Sequence, residues 1–479
     1  MKSRVLAALL VMTSALVVIG STAITAPAVG AAERPNIVII VTDDQRWDAL
    51  QSMPNVKALL RKQGVNYTNS FVPNSLCCPS RSSTLTGLHS HTTGVWGLTP
   101  PNGGFKSFKD QTTIATVLHE RAGYRTMLVG KYLNGYPEGH YSYVPPGWDR
   151  WFSIESGAYY NYYAADNGRR SPLYGSAPSD YSGRVLKNVA LSYLASVPHD
   201  QPFLLYFAPS APHAGIKTAY AVPDPRDVDA LKSTLTPYRP PSYGTKDSVA
   251  DMPAYIRAGT WSAGSVDTFR RRQLESLIGV DRSIGQLMSQ LPANTLVIFT
   301  SDNGYLWGEH KWHRKEVPYE ESIRVPLIVR WDGHVPAGST DPRLALNIDI
   351  APTVAAAAGI DPTSVPLGLD RNGSPVLAQG LDLFGAAEHD EFVIEHYDNY
   401  RAVPPYCGMR TASWMYARYW DGREADPDNG FEELYHVATD PYELHNVASD
   451  AAWHTNLIHL RERAQAACSP APPFYSWGP

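Results

Sequence analysis

Five short runs of apolar, mostly β-branched or bulky residues limit how this chain can fold: Asn36–Thr42 (NIVIIVT), Arg125–Gly130 (RTMLVG), Pro202–Phe207 (PFLLYF), Thr295–Thr300 (TLVIFT) and Val325–Val329 (VPLIV). Runs of this length without polar alternation read as strands buried on both faces. A sheet covered by helices on both sides buries strands in that way. Helical patterns lie between the runs, at Thr112–Arg121, Tyr181–Val197 and Val266–Leu291. In the last of these, Leu274, Leu277, Ile278, Ile284, Leu287 and Leu291 fall on one face. The alternation predicts an α/β domain with a large, mostly parallel sheet flanked by helices.

Ligands of such sheets meet the carboxyl ends of the strands. There the sequence places Asp43 and Asp44 after the first run, Lys131 after the second, His213 a few residues past the third, and Asp302 and Asn303 after the fourth. Three carboxylates and an amide form an all-oxygen set suited to a hard divalent cation; spacing alone does not choose Ca²⁺ over Mg²⁺. Ala208–Arg257, rich in Pro, Tyr and Asp and without clear periodicity, is expected to wall a substrate cleft. After about Ala386 the pattern restarts with Glu391–His396, Ala412–Tyr419, Glu433–Val437 and an amphipathic stretch near Leu457–Ala467. The expected organisation is a catalytic α/β domain over 33–385 and a smaller C-terminal α+β domain over 386–479.

Residues 1–32 read as a secretory signal peptide, with Lys2 and Arg4 ahead of an apolar core, Val5–Ile19, and small residues up to Gly30-Ala31-Ala32. Ser14, Gly20, Ser21 and Thr22 break the run below the roughly 20 residues a membrane span needs. No later stretch is long and apolar enough to span, so the mature protein is expected to be soluble and outside the cytoplasm. Without Lys2 and Arg4 the chain carries 39 basic and 46 acidic side chains, a net −7. That balance argues against a broad polyanion-binding face and hence against a nucleic-acid partner. The four cysteines, Cys77, Cys78, Cys407 and Cys468, are too few for a disulfide-stapled scaffold and match no zinc spacing.

The most specific string is Cys77-Cys78-Pro79-Ser80-Arg81 followed by Leu85-Thr86-Gly87. It resembles the signature of the sulfatases, members of the alkaline phosphatase superfamily. The resemblance extends to Leu346–Ile360 (LNIDIAPTVAAAAGI) and Glu433–Val447 (ELYHVATDPYELHNV). It implies that a formylglycine-generating enzyme oxidises Cys77 to Cα-formylglycine (3-oxoalanine), whose hydrate is the nucleophile. A geminal diol has a chemical advantage: once one hydroxyl has taken the sulfate, deprotonating the other expels it and restores the aldehyde. Cys77, just ahead of a helix expected over Ser80–Gly87, also brings the sulfate near free backbone N–H groups.

The resemblance further implies that Asp43, Asp44, Asp302 and Asn303 hold Ca²⁺, with an oxygen on residue 77 completing the shell. Arg81 holds the modified residue or metal-side oxygens, Lys131 and Lys315 contact sulfate, and His213 protonates the leaving oxygen. His310 and His313, flanking Trp312, are further pocket candidates. Many members carry a histidine two or three residues after the strand lysine, where this chain has Leu133 and Asn134. Asn134 can hydrogen-bond the hydrate but is no base at neutral pH; His310 or water is left to take the proton.

Gly130–Asn134 (GKYLN), Pro145–Trp151 (PPGWDRW) and Tyr159–Tyr163 (YYNYY) look like the branch acting on 6-O-sulfated N-acetylglucosamine in glycans, including glycosaminoglycans. Cys407 and Cys468 fit that branch and are expected to form a disulfide. Two other readings stand beside it: a phosphonate monoester or phosphodiester hydrolase of the same superfamily, and a non-catalytic binder of sulfated glycan if Cys77 stays a thiol.

Overall fold

The computed structural model describes residues 34–244, 249–259, 262–397, 402–420, 422 and 426–478; the expected signal peptide lies outside the described residues. The central strands are β1 (Asn36–Thr42), β2 (Val65–Phe71), β3 (Arg125–Lys131), β4 (Arg150–Ile154), β5 (Ala165–Asp166), β6 (Arg169–Arg170), β7 (Phe203–Ala208), β8 (Thr295–Ser301), β9 (Leu327–Arg330) and β10 (Ser339–Leu346). They form one sheet in the order β10-β2-β9-β8-β1-β7-β3-β4-β5-β6. Its middle, β8-β1-β7-β3-β4, is parallel throughout. β9 departs from the expectation of a parallel strand, pairing antiparallel with both β8 and β2. Its apolar run encoded burial on two faces, which is independent of direction.

Alternate residues of the central strands feed two cores. Ile37, Ile39, Leu204 and Ile298 point to one, and Val38, Ile40, Leu205 and Phe299 to the other. The first is covered by α1 (Cys77–Thr86), α2 (Ile114–Ala122) and, later in the chain, the helix Ile350–Ala357. The second is covered by α3 (Ser182–Ala195) and α4 (Ala263–Met288), whose Leu274, Leu277, Ile284 and Leu287 are buried. Burying whole apolar strands between helical layers removes their surface from water at about 25 cal/mol per Å², the main favourable term in folding.

A second, antiparallel sheet runs β13 (Glu391–His396), β14 (Tyr406–Thr411), β15 (Met415–Tyr419), β16 (Glu432–Tyr435), after a small hairpin β11 (Gly368–Leu369) and β12 (Pro375–Val376). The helix His454–Ala467 packs on it through Leu457, Leu460 and Ala464 against Met409, Tyr416 and Leu434. Cys407 in β14 is disulfide-bonded to Cys468 just past that helix, with Cα atoms 6.3 Å apart and a sequence separation of 61. Closing a loop of this length restricts the unfolded chain, so Cys468→Ser is expected to lower the unfolding free energy by about 2–4 kcal/mol. An unchanged urea midpoint would show that the link contributes nothing.

Candidate functional site

The parallel register brings the rim residues together. Thr42 of β1 pairs with Ser301 of β8, so Asp43-Asp44 and Asp302-Asn303 leave neighbouring strands at the same level. Asp44 N–H donates to Asp302 Oδ1 at 3.2 Å and Asn303 Nδ2 to Asp44 Oδ1 at 2.7 Å. Lys131, the last residue of β3, sends Nζ to Asp43 Oδ2 at 2.8 Å. His213 follows β7 with Nε2 3.8 Å from Asp44 Oδ2.

Helix α1 begins at Cys77 rather than at Ser80. Pro79 sits in its first turn, where a missing N–H has no helical partner to lose. The helix is buried along its whole length although half of it is Ser, Thr or Arg. Its hydroxyls are satisfied internally: Ser82 donates to Pro79 O, Thr84 to Ser80 O and Thr86 to Ser82 O at 2.7–2.9 Å. Gly87 closes it with φ of 71°, in the left-handed region. Arg81, one turn after Cys77, donates from Nε to Asp302 Oδ2 at 2.8 Å and from a terminal nitrogen to Lys131 O at 3.2 Å.

Lys315 reaches in from a loop and lies 2.5 Å from Asp44 Oδ1, 2.7 Å from Cys77 Sγ and 3.3 Å from Asn303 Oδ1. A positive charge is thus already seated among the oxygen donors. Asp43, Asp44, Cys77 and His213 each bring a potential ligand atom within 4.8 Å of the others, a group able to hold a metal ion, and Asp302 and Asn303 border it through Asp44.

The site has two layers. Asp44, Cys77, Asn134, His213 and Lys315 line a cleft of about 490 Å³, with Tyr220, Phe269, Tyr305 and His313 on its walls. Asp43, Arg81, Lys131, Asp302 and Asn303 are almost fully buried beneath it. His310 does not line the cleft; its ring is buried 4.4 Å from that of Tyr319, and burial drives its pKa down to about 3.

Electrostatics follow from the pairing. Burial alone would raise Asp43, but Lys131, His213, Arg81 and Lys315 outweigh it and hold the carboxyl well below its usual range. In Asp302, burial and the neighbouring Asp43 charge win over Arg81 and push the carboxyl up. Burial works against the charged forms of Lys131 and Lys315, yet Asp43 and Asp44 respectively keep both ammonium groups charged. Burial pushes the Cys77 thiol up to about 12 despite both lysines.

Several supporting residues escaped the sequence reading. Ser156 donates to Asp43 Oδ2 at 3.1 Å, and Tyr159 donates to His213 O at 2.7 Å. Arg46, fully buried, pairs with Glu309 at 2.5 Å and stacks 4.3 Å above Trp307, pinning the loop that carries Lys315. Arg46 lies two residues past Asp44, but only its burial marks it as more than a surface charge.

A doubly covered α/β sheet with a cleft built from CCPSR, paired acids, the strand-end Lys131 and the loop-borne Lys315 is the frame of a sulfuric ester hydrolase. The sulfatase family profile matches residues 35–360, and that of the N-sulphoglucosamine sulphohydrolase C-terminal region matches 308–468. This chain belongs to the sulfatase family. It is 32% identical over 346 residues to human N-acetylglucosamine-6-sulfatase, a match covering 68% of this chain and 62% of the human protein. The goat (Capra hircus) N-acetylglucosamine-6-sulfatase is 28% identical over 462 residues, covering 87% of this chain and 80% of its own. In fold, the chain is similar to a solved protein in complex with its substrate D-glucosamine-2-N,6-O-disulfate, with a TM-score of 0.74 and 24% identity, covering 92% of this chain and all of that one.

Proposed function

We propose that this protein is an exported sulfatase that hydrolyses sulfate monoesters, with the 6-O-sulfate of N-acetylglucosamine in glycans as its natural target. The observation that carries the reading is the setting of Cys77: a buried side chain at the open end of α1, facing Lys315 Nζ at 2.7 Å and Asp43 Oδ1 at 3.6 Å. As a thiol it is a poor partner for either group and, held protonated, no nucleophile. Oxidised to Cα-formylglycine, residue 77 supplies the reactive oxygen, and a divalent cation, Ca²⁺ by family resemblance, held by Asp43, Asp44, Asp302 and Asn303 supplies charge stabilisation.

The chain's own residues divide the remaining work. Three buried carboxylates face three permanent cations, Arg81, Lys131 and Lys315, so the site is near neutral by itself and net positive once a dication is added. An anion trap can therefore sit in an acidic protein. Lys315, reaching the cleft, neutralises sulfate oxygens; Lys131 and Arg81, from below, fix the carboxylates. His213 Nδ1 donates to Ala214 O at 2.7 Å, which fixes the ring, so that the imidazolium form carries its second proton on Nε2 and can pass it to the departing sugar oxygen. Among the described residues no helix is long and apolar enough to cross a membrane.

The test is sulfate release from N-acetylglucosamine 6-sulfate, an aryl sulfate and an aryl phosphonate, on protein whose residue 77 has been read by peptide mass. Turnover of both sulfates, scaling with conversion of Cys77 and lost in EDTA, is expected. Faster turnover of the phosphonate would move the assignment to the phosphonate hydrolases, and full activity with an intact thiol would remove the mechanism.

A further inference from the structure

Beside the catalytic cleft lies a second cavity of about 620 Å³, lined by the Tyr159–Tyr163 segment together with Tyr141, Arg170 and Lys217. We propose that it is a subsite for the sugar adjoining the one that carries the scissile sulfate, so that the enzyme selects glycan chains over free monosaccharides. The proposal rests on the reading of the cleft as a sulfatase site for amino sugars.

Continuity is the first support. Thr218 lines both cavities, and a third hollow of about 450 Å³ shares Asn134 with the cleft and Glu138 and Glu155 with the tyrosine cavity. The wall between cleft and cavity is the His213–Thr218 segment, braced by Ile216 N–H to Gly157 O at 3.1 Å and by the Tyr159 hydroxyl on His213 O. A sugar chain leaving the cleft past this segment meets the tyrosines next.

Chemistry is the second. A pyranose presents one apolar C–H face and a rim of hydroxyls, which suits tyrosine rings that carry a polar handle. Three of the five aromatic side chains have ring partners in the wall: Tyr162 stacks on Tyr174 at 5.1 Å, and Tyr159 and Tyr160 both pack on Tyr181, at 5.9 and 5.6 Å; of these, Tyr159 and Tyr162 are buried. Tyr141, Tyr160 and Tyr163 are only half-buried. Arg170 lies over Tyr163 at 3.5 Å, and neither it nor Lys217 is paired with a carboxylate among the described residues. These two exposed cations suit a carboxylate or sulfate on the adjoining sugar. Ile216, 56% exposed, adds apolar surface to the same rim.

The test compares sulfate release from N-acetylglucosamine 6-sulfate and from a tetrasaccharide ending in that sugar. The wild-type enzyme is expected to favour the tetrasaccharide at least tenfold in kcat/KM. A Tyr160→Ala/Tyr163→Ala variant is expected to lose that preference through KM, with monosaccharide turnover within twofold of wild type, while Tyr163→Phe keeps most of it. Equal wild-type rates on both substrates, or a variant that slows both alike, would overturn the subsite. Calorimetric titration of the desulfated tetrasaccharide into a Cys77→Ala background separates this from the catalytic reading. Binding that the tyrosine substitutions weaken at least tenfold supports the subsite even if neither sugar is turned over; binding that they leave unchanged, or no binding, refutes it.

Discussion

Cys77→Ala is expected to abolish sulfate release while leaving the protein folded. On the proposed mechanism residue 77 makes and breaks the bond to substrate, and losing such a group lowers kcat on the order of 10⁴-fold or more. The structural cost is small because only sulfur is removed from a site already tied together by Lys131, Arg81 and the carboxylates. A loss of about 1 kcal/mol or less is anticipated for so small a truncation. Cys78→Ala is the matched control: Cys78 is equally buried, but in the apolar core beside α1, so its loss affects stability by a similar amount and turnover little. Sulfate release and thermal unfolding of the two variants give the answer. More than 1% residual activity in Cys77→Ala would remove residue 77 from the chemistry.

That the two adjacent cysteines separate so cleanly was legible only in part from the sequence. The rim of the sheet was: a buried strand followed by acids or a lysine places those side chains at a carboxyl end, and one register then aligns them. Helices α2, α3 and α4 were visible for the same reason, since each keeps its apolar face at helical spacing. What failed to register were strands with one polar face. β10 (STDPRLAL) is the edge strand, with its first half partly exposed, and β2 (VNYTNSF) beside it interleaves buried and half-buried positions with polar side chains, so neither shows an apolar run. β14 (YCGMRT) was missed because Gly408 stands where a side chain would collide with Tyr416 O, so a glycine that weakens the pattern is required by the packing.

Layering within the site was equally hidden. Lys131 and Lys315 look alike in sequence, both next to motifs, yet one is sealed under Asp43 and the other lines the cleft. Nothing local distinguishes them; the difference comes from the loop that Arg46 and Glu309 hold over the sheet. His310 shows the reverse case, a histidine three residues from the cleft-lining His313 that turns into the core instead.

Asp302→Ala is expected to damage both stability and turnover, and the joint loss is the point of the experiment. The carboxylate is fully buried and bonds Arg81 Nε, stands 3.8 Å from Lys131 Nζ and accepts the Asp44 N–H. Its removal strands a buried guanidinium that already has one terminal nitrogen without a partner. Breaking a buried pair by deleting one member costs about 3–5 kcal/mol, because the remaining charge is neither hydrated nor matched. Against a total stability of about 5–15 kcal/mol this is a large fraction, yet for a chain of this size it lowers Tm by only about 3–5 °C. Turnover is expected to fall on the order of 10³-fold or more, since the proposed cation ligand and the anchor of Arg81 are lost together. Asp302→Asn separates the two effects. The amide fills the same volume and still accepts from Asp44 N–H, so it should recover part of the stability but little of the activity. Added Ca²⁺ should restore activity to the asparagine variant more than to alanine, because only the former keeps an oxygen at that place. An alanine variant as stable as wild type and active within tenfold of it would mean that neither Arg81 nor the cation depends on Asp302.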